Sequence, residues 1–274
     1  MRLYDELADW FHLLTAPADY AEEAVVIATT FDSLAERDVR TMLELGSGGG
    51  NNASWLKRRY DMTLSDVSPK MLALSRTINP ECEHLEGDMR TMRLGRMFDA
   101  ALAHDALMHL ATEDDLAAAI VTAAEHLAPG GVALLVPDHT TETYRPRTES
   151  GGHDGDGRAM RYLMWDHEPV DTAYRTTMVY VLEDQDGIRV EHEQWTIGLF
   201  PARDVAAPDR GGGARGARRG VPALVLRRRG PRDVRRRQTR LSRRPIRRGL
   251  KLRHPSTDGS GTAQMGVSAR KVTR

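Results

Sequence analysis

The sequence predicts an α/β fold, a doubly wound and mostly parallel sheet with an N-terminal helical lid, an antiparallel sheet insertion and an irregular C-terminal tail. Three observations predict it. Between Thr41 and Val136, short apolar bursts alternate with helical stretches, the pattern of strands joined by crossover helices. Between Met160 and Phe200, apolar and polar residues alternate along three runs, the period of half-buried strands. Beyond Phe200 neither period persists.

Residues 5–38 read as helical. Leu7, Trp10, Phe11 and Leu14 recur at helical spacing, Pro17 interrupts, and a second helix runs from Tyr20 to Leu34. Strands follow at Thr41–Leu45, Met62–Ser65, His84–Glu86, Phe98–Ala103 and Val132–Val136. The helices between them cover Asn52–Tyr60, Pro69–Asn79 and Asp114–Leu127. Residues 138–158 are polar and glycine-rich, which predicts a long loop. Met160–Trp165, Ala173–Glu183 and Ile188–Phe200 read as an antiparallel sheet, with Asp184-Gln185-Asp186-Gly187 as a turn. The chain thus divides into a lid (1–38), a ligand-binding core (39–137), a platform (138–200) and a basic tail without regular structure (201–274).

A length of 274 residues suffices for one large α/β domain. No apolar run is long enough to span a bilayer, and the opening MRLYDELADWF is acidic and amphipathic, unlike a signal peptide. A cytoplasmic protein is expected. The single cysteine, Cys82, excludes an internal disulfide and a cysteine-based zinc site, and it reads as a packing residue. The formal charge of zero hides an asymmetry. Residues 201–274 hold 22 Lys and Arg against 4 Asp and Glu, and the preceding 200 residues hold 17 against 35. A basic arm suggests nucleic acid, but an acidic body beside the active site argues against it.

Four elements carry chemistry. In LELGSGGGNN (43–52) a strand ends and glycines stand at 46, 48, 49 and 50 before a helix, so the backbone can turn sharply and approach a ligand. Asn51 replaces the third glycine of a dinucleotide fingerprint, and no Gly-Lys-Ser/Thr of a phosphate loop follows. An acidic residue ahead of these glycines fits a nucleoside bound without a pyrophosphate. Asp66 ends the next strand, twenty positions after Gly46, where a carboxylate can accept from ribose hydroxyls. Glu86-Gly87-Asp88-Met89-Arg90 follows the third strand, and a carboxylate there can accept from an adenine amino group. LAPGG (127–131) reads as a helix end and turn into the fifth strand. Taken singly, Asp66 and Asp88 would also serve as helix caps. His153-Asp154-Gly155-Asp156 resembles a metal-binding loop but reads as solvated, and no metal is expected.

Over residues 43–137, through LELGSGGG, SDVSPKML, EGDM, FDAALAHDALMHL and LAPGGVALLVP, the chain resembles the class I S-adenosylmethionine-dependent methyltransferases, with their Rossmann-like core. YDELADWFHLLTAPADYAEEA and EHEQWTIGLF resemble the small-molecule branch that contains amino-sugar N,N-dimethyltransferases. The resemblance implies S-adenosyl-L-methionine as cofactor and a small-molecule acceptor methylated on N or O. It implies a cofactor site of Tyr20, Glu44, Gly46, Ser47, Gly48, Asp66, Val67, Met71, Asp88, Met89 and His104. Glu44 would face the methionine amino group, Asp66 the ribose, and Asp88 with Met89 the adenine.

Methyl transfer from a sulfonium needs alignment and a dry pocket, and a protonated acceptor must also lose a proton. His104, at the end of the fourth strand, is the expected base and Asp105 the next candidate; the competing reading is that His104 or His109 only packs. Tyr4 and Tyr20 are expected to line the lid. The class normally adds a helix and two strands after Phe200. Instead stands an Arg/Ala/Gly/Pro-rich stretch in which Val221–Leu226 alone is apolar. From Ala202 onward, codons can be chosen whose shifted reading encodes an amphipathic helix and then a strand, so the tail is expected to be a frame-shifted translation that leaves the sheet edge bare. The alternatives are an inactive or weakly cofactor-binding homologue, and a nucleic-acid methyltransferase using the tail.

Overall fold

The computed structural model describes residues 1–201 and 224–228. Two sheets organise them. The first contains β1 (Thr41–Leu45), β2 (Asp61–Asp66), β3 (Glu83–Glu86), β4 (Phe98–His104), β5 (Leu127–Val136) and β11 (Leu224–Arg227), in the order β11-β5-β4-β1-β2-β3. All its pairs are parallel except β11 with β5. The second contains β6 (Arg147–Gly151), β8 (Arg158–Asp166), β9 (Ala173–Asp184) and β10 (Gly187–Gly198) in antiparallel succession, with β7 (Asp154–Gly155) beside β8.

The parallel strands are apolar on both faces because helices cover both. Met42, Ala100, Leu102, Val132 and Leu134 pack with Ile27 and Phe31 of α2 (Ala21–Leu34) and with Ala53 and Leu56 of α3 (Ala53–Leu56). Leu43, Leu45, Ala101, Ala103, Ala133 and Leu135 face the other way, onto Leu116 and Ile120 of α5 (Glu113–Glu125). The helices have recognisable starts. Ser68 caps α4 (Pro69–Ile78), its Oγ accepting the Met71 N–H at 3.1 Å, with proline in the first turn. Thr112 caps α5, accepting the Asp115 N–H at 3.1 Å, and Glu113, Asp114 and Asp115 fill the first turn.

The N-terminal segment packs on the second sheet. Leu3, Leu7, Trp10 and Leu13 join Met178, Tyr180, Leu182 and Ile197 in one core. Only Phe11–Leu14 (α1) and α2 are α-helical there, since short 3-10 turns take the remainder.

Several elements differ from expectation. The helix expected over Asn52–Tyr60 is one α-turn, Ala53–Leu56, followed by turns. The LAPGG turn is the start of β5, which shifts register against β4 near Ala100. The loop expected over 138–158 contributes β6 and β7, whose polar residues pair through backbone rather than apolar side chains. In the tail, Leu224–Arg227 pairs with Val132–Leu135, so the edge of β5 expected to lie bare is covered. Val225 and Leu226 reach opposite cores, which is why this short apolar stretch can close the edge. The frame-shift reading otherwise concerns 202–223 and 229–274, outside the described residues.

Candidate functional site

The strand order reverses between β1 and β4, and ligands of such sheets sit beyond the carboxyl ends of the strands at that reversal. A cavity of about 750 Å³ lies there, within the range of small-ligand sites. The glycine turn after β1 forms one wall. Gly46 has φ +68°, and a Cβ on it would stand 2.5 Å from the Ala106 Cβ and 2.9 Å from the Met89 Cε. The tips of β1 and β4 therefore approach closely only because this residue is glycine. Gly48 and Gly50 also take positive φ.

The lid is tied to this turn. Asn51 Nδ2 donates to the Thr15 carbonyl at 3.0 Å, Trp55 Nε1 to the Pro17 carbonyl at 2.7 Å, and Ser68 Oγ to the Tyr4 carbonyl at 2.6 Å. Tyr4, Phe11 and Tyr20 thereby close one side of the cavity, while Tyr162, Met164, Met178 and Trp195 of the second sheet close another.

Several residues of the cavity wall fit an S-adenosylmethionine-type ligand. Glu44 is 3% exposed, and its Oε2 is buried without a partner, so the cavity presents an unsatisfied acceptor suited to an ammonium group. Burial pushes its carboxyl up to about 8. Asp66 accepts the Gly48 N–H on Oδ2 at 2.9 Å and the Ser68 N–H on Oδ1 at 2.8 Å. Remaining lone pairs are left for hydroxyl donors. Burial raises the Asp66 carboxyl against these hydrogen bonds. Tyr20, Glu44, Gly46, Ser47, Gly48, Asp66, Val67, Met71, Met89 and His104 all line the cavity. Asp88 is not among its lining residues. Its carboxylate is engaged by Arg90, which donates its backbone N–H at 2.8 Å and its guanidinium at 2.6 Å, holding the acid below its usual range. Gly87 and Met89 take that part of the wall.

The cavity wall also carries aromatic and acidic residues. Tyr4 stacks on Trp195 with centroids 5.8 Å apart, and His109 stands edge-on to Tyr4 at 5.3 Å. His109 Nδ1 and Trp195 Nε1 are buried without partners. Burial drops His109 to about 4, so its imidazole is neutral at pH 7. His104 places Nδ1 3.2 Å from Asp105 Oδ2 and Nε2 in contact with Glu23 of α2. Asp105 has φ +51°, a conformation unfavourable for a side-chain-bearing residue and frequent at functional sites. Burial raises Asp105 to about 6.

Sequence reasoning missed Asp138, Arg147, Glu149, Tyr162 and Trp195 on this wall, and Glu23 behind it. Asp138 carried a readable signal, since it follows the carboxyl end of β5. The platform residues carried none, because an alternating strand does not disclose which face meets a ligand. The suggested metal loop is committed elsewhere. His153 pairs with Asp19 at 3.1 Å and Asp154 with Arg161 at 2.6 Å, and no metal-ligating cluster occurs among the described residues.

A doubly wound sheet with its glycine turn and acids at the reversal point is similar to the class I S-adenosylmethionine-dependent methyltransferases. Residues 42–131 match the family model described as a methyltransferase domain. The chain is 34% identical over 128 residues to dTDP-3-amino-3,4,6-trideoxy-alpha-D-glucopyranose N,N-dimethyltransferase of Streptomyces venezuelae, covering 46% of this chain and 54% of the relative. It thus spans about half the length of that curated relative. Among solved structures, DesVI of Streptomyces venezuelae superposes with TM-score 0.70 at 26% identity, over 80% of this chain and 97% of that one. The S-adenosylmethionine-bound amino pentose methyltransferase CalS10 of Micromonospora echinaspora superposes with TM-score 0.64 at 25% identity, over 76% and 91%.

Proposed function

We propose that this protein transfers methyl groups from S-adenosylmethionine to the amino nitrogen of a small-molecule acceptor, an amino sugar carried on a nucleoside diphosphate. The observation that carries the reading is one cavity lined by two unlike sets of residues. Glu44 with its unpartnered Oε2, the glycine turn and Asp66 form one set, and Tyr4, His109, Trp195 and the acidic pair Asp105 and Asp138 the other. The amino-sugar substrate of the relative from Streptomyces venezuelae supplies the sugar class.

When bound, the cofactor supplies an activated methyl group. Glu44 and Asp66 anchor and orient the donor. Tyr20, Met71 and Met89 shape its pocket, with Ser47, Gly48 and Val67 along the wall. Asp88 acts through Arg90 on the shape of the adenine end rather than by direct contact. The aromatic trio excludes water and seats the acceptor ring, and neutral His109 offers it a hydrogen-bonding nitrogen. His104 and Asp105 handle the proton that a protonated amine must lose. The lid (1–38), core (39–137) and platform (138–200) are three contributions to this one cavity. No helix among the described residues is long and apolar enough to cross a membrane, and we place the protein in the cytoplasm with its cofactor.

A nucleic-acid acceptor is disfavoured, because residues 1–200 hold 17 Lys and Arg against 35 Asp and Glu, an acidic body where a long phosphate backbone needs a basic surface. Incubation with S-adenosylmethionine and dTDP-3-amino-3,4,6-trideoxy-glucopyranose tests the reading. Mono- and dimethylated sugar detected by mass spectrometry supports it. A chain that binds S-adenosylhomocysteine yet leaves this sugar unmethylated contradicts it.

A further inference from the structure

We propose that Asp138, Asp105, His104 and Glu23 form a proton outlet that carries the acceptor's ammonium proton from the cavity wall to solvent. The inference rests on the amine-methylation reading and adds to it a route for the proton.

Three consecutive contacts join the four groups of the route. Asp138 and Asp105 follow the adjacent tips of β5 and β4, which are locked together by the Asp105 N–H donating to the Val136 carbonyl at 3.0 Å. Their carboxyls lie close enough to shift one another, Asp105 raising Asp138. Two carboxyls in contact share one proton, because like charges so close are costly. Burial and the neighbouring Asp105 hold Asp138 well above the usual carboxylate range, so Asp138 keeps that proton and Asp105 is the ionised member near pH 7. Asp105 Oδ2 lies 3.2 Å from His104 Nδ1, and His104 Nε2 meets Glu23 Oε1. Along the path the side-chain exposure is 43% for Asp105, which faces the cavity, 9% for His104 and 25% for Glu23, so His104 is the buried link between the cavity and α2. Asp138, Asp105 and His104 line the cavity, whereas Glu23 does not, so the chain of groups leads out through α2. Tyr4, Tyr20 and His139 also face the acidic pair, and Glu44 faces His104. His109 has a buried, unpartnered Nδ1 on the same wall, an independent sign that a ligand's polar group belongs there.

The proton balance is simple. The ammonium N–H bond breaks, its proton goes to the Asp105 carboxylate, and the amine keeps the electron pair that attacks the methyl group. Asp105 passes the proton to His104 Nδ1, the resulting imidazolium releases its Nε2 proton to Glu23, and Glu23 releases one to water. Exchange with water resets the histidine tautomer while the cavity is empty. Nothing is oxidised or reduced, and each methyl transferred sends one proton to solvent. A second methylation repeats the cycle, because the monomethylated product is again an ammonium ion.

Glu23→Gln separates transport from scaffolding. The amide oxygen still accepts from His104 Nε2–H, so the contact between α2 and β4 survives, but the amide cannot take the proton. With the full chain and the amino sugar above, Glu23→Gln should lower kcat about 10-fold at pH 7 with KM little changed, and Asp105→Asn about 100-fold. Both deficits should shrink as pH rises and the amine reaches the site already neutral. A Glu23→Gln protein with the parent kcat and pH profile overturns the proposal. A second readout needs no acceptor. In ¹⁵N-histidine-labelled protein saturated with S-adenosylhomocysteine, the His104 ring-nitrogen titration should move in both Asp138→Asn and Glu23→Gln; a titration indifferent to both overturns the outlet. If the parent binds S-adenosylhomocysteine but leaves the sugar unmethylated, the amino-sugar reading falls, and the nitrogen titration still decides the outlet.

Discussion

Replacing Glu44 by glutamine should make the empty protein more stable at alkaline pH and a poorer cofactor binder at every pH. Glu44 is buried, one of its oxygens has no partner, and its carboxyl titrates near 8 in the fold against 4.5 in the unfolded chain. A carboxyl raised by folding contributes stability that is complete below its unfolded value and lost as pH climbs through its folded value. The window therefore runs from about pH 4.5 to 8. At 1.36 kcal/mol for each pH unit, the cost of the charged form approaches a ceiling of about 5 kcal/mol above pH 8. Glutamine removes this cost but leaves a buried amide still short of partners, worth about 1–3 kcal/mol. The net gain at pH 9 is then about 2–4 kcal/mol, or roughly 5–10 °C in Tm for a body of this size. Thermal unfolding of both proteins from pH 5 to 9 without ligand is the assay. The Glu44→Gln curve should lie level with or below the parent's at pH 5 and cross above it as pH rises towards 9. Titration with S-adenosylhomocysteine should show binding weakened about 30-fold or more, the cost of removing one member of a buried charge pair. Parallel Tm curves, or a glutamine variant less stable than the parent at pH 9, would refute the reasoning.

Gly50→Ala should destabilise the protein by about 3 kcal/mol or more, read by urea unfolding: at φ +79° the new Cβ would meet Ser75 Oγ at 2.2 Å and Asn79 Nδ2 at 2.3 Å, and both belong to the α4 packing. Val225→Asp should lower stability by about 2–3 kcal/mol by placing a charge between β11 and the α2 side of the sheet; an unchanged Tm would mean that β11 does not cover that edge. Cys82 should react slowly with thiol reagents below pH 9, because burial pushes its thiol up to about 11; rapid labelling of the native protein would contradict this. Sequencing several independent clones of the gene tests the tail: a displaced frame beginning near Ala202 is expected, and an intact frame with no alternative product would end that reading.

The parallel core was legible because each strand announces itself twice. Met42 and Leu43, or Ala100 and Ala101, are apolar in succession since helices bury both faces of the sheet. The polar strand β6 lacks that signature, and its pairing with β8 depends on a partner far along the chain. The helix after the glycine turn was overread because Asn52–Tyr60 has acceptable helix formers, whereas the turn and the Trp55 bond to the lid leave room for one α-turn. In the site, Glu44, Gly46 and Asp66 were visible as strand-tip residues at a characteristic spacing, and they line one cavity. Asp88 sat at an equally suggestive position, but Arg90, two residues on, closes a local ion pair that spacing alone does not reveal. The acceptor wall is assembled from β6, β8, β9 and β10 together with the N-terminus, so its members become neighbours only through the fold.

Calorimetric titration of the purified full chain with S-adenosylhomocysteine, beside an Asp66→Ala control, tests the central claim most directly. The account predicts micromolar binding by the parent and loss of binding in the control. A folded parent protein that takes up no S-adenosylhomocysteine, or a control that binds as tightly as the parent, would contradict it.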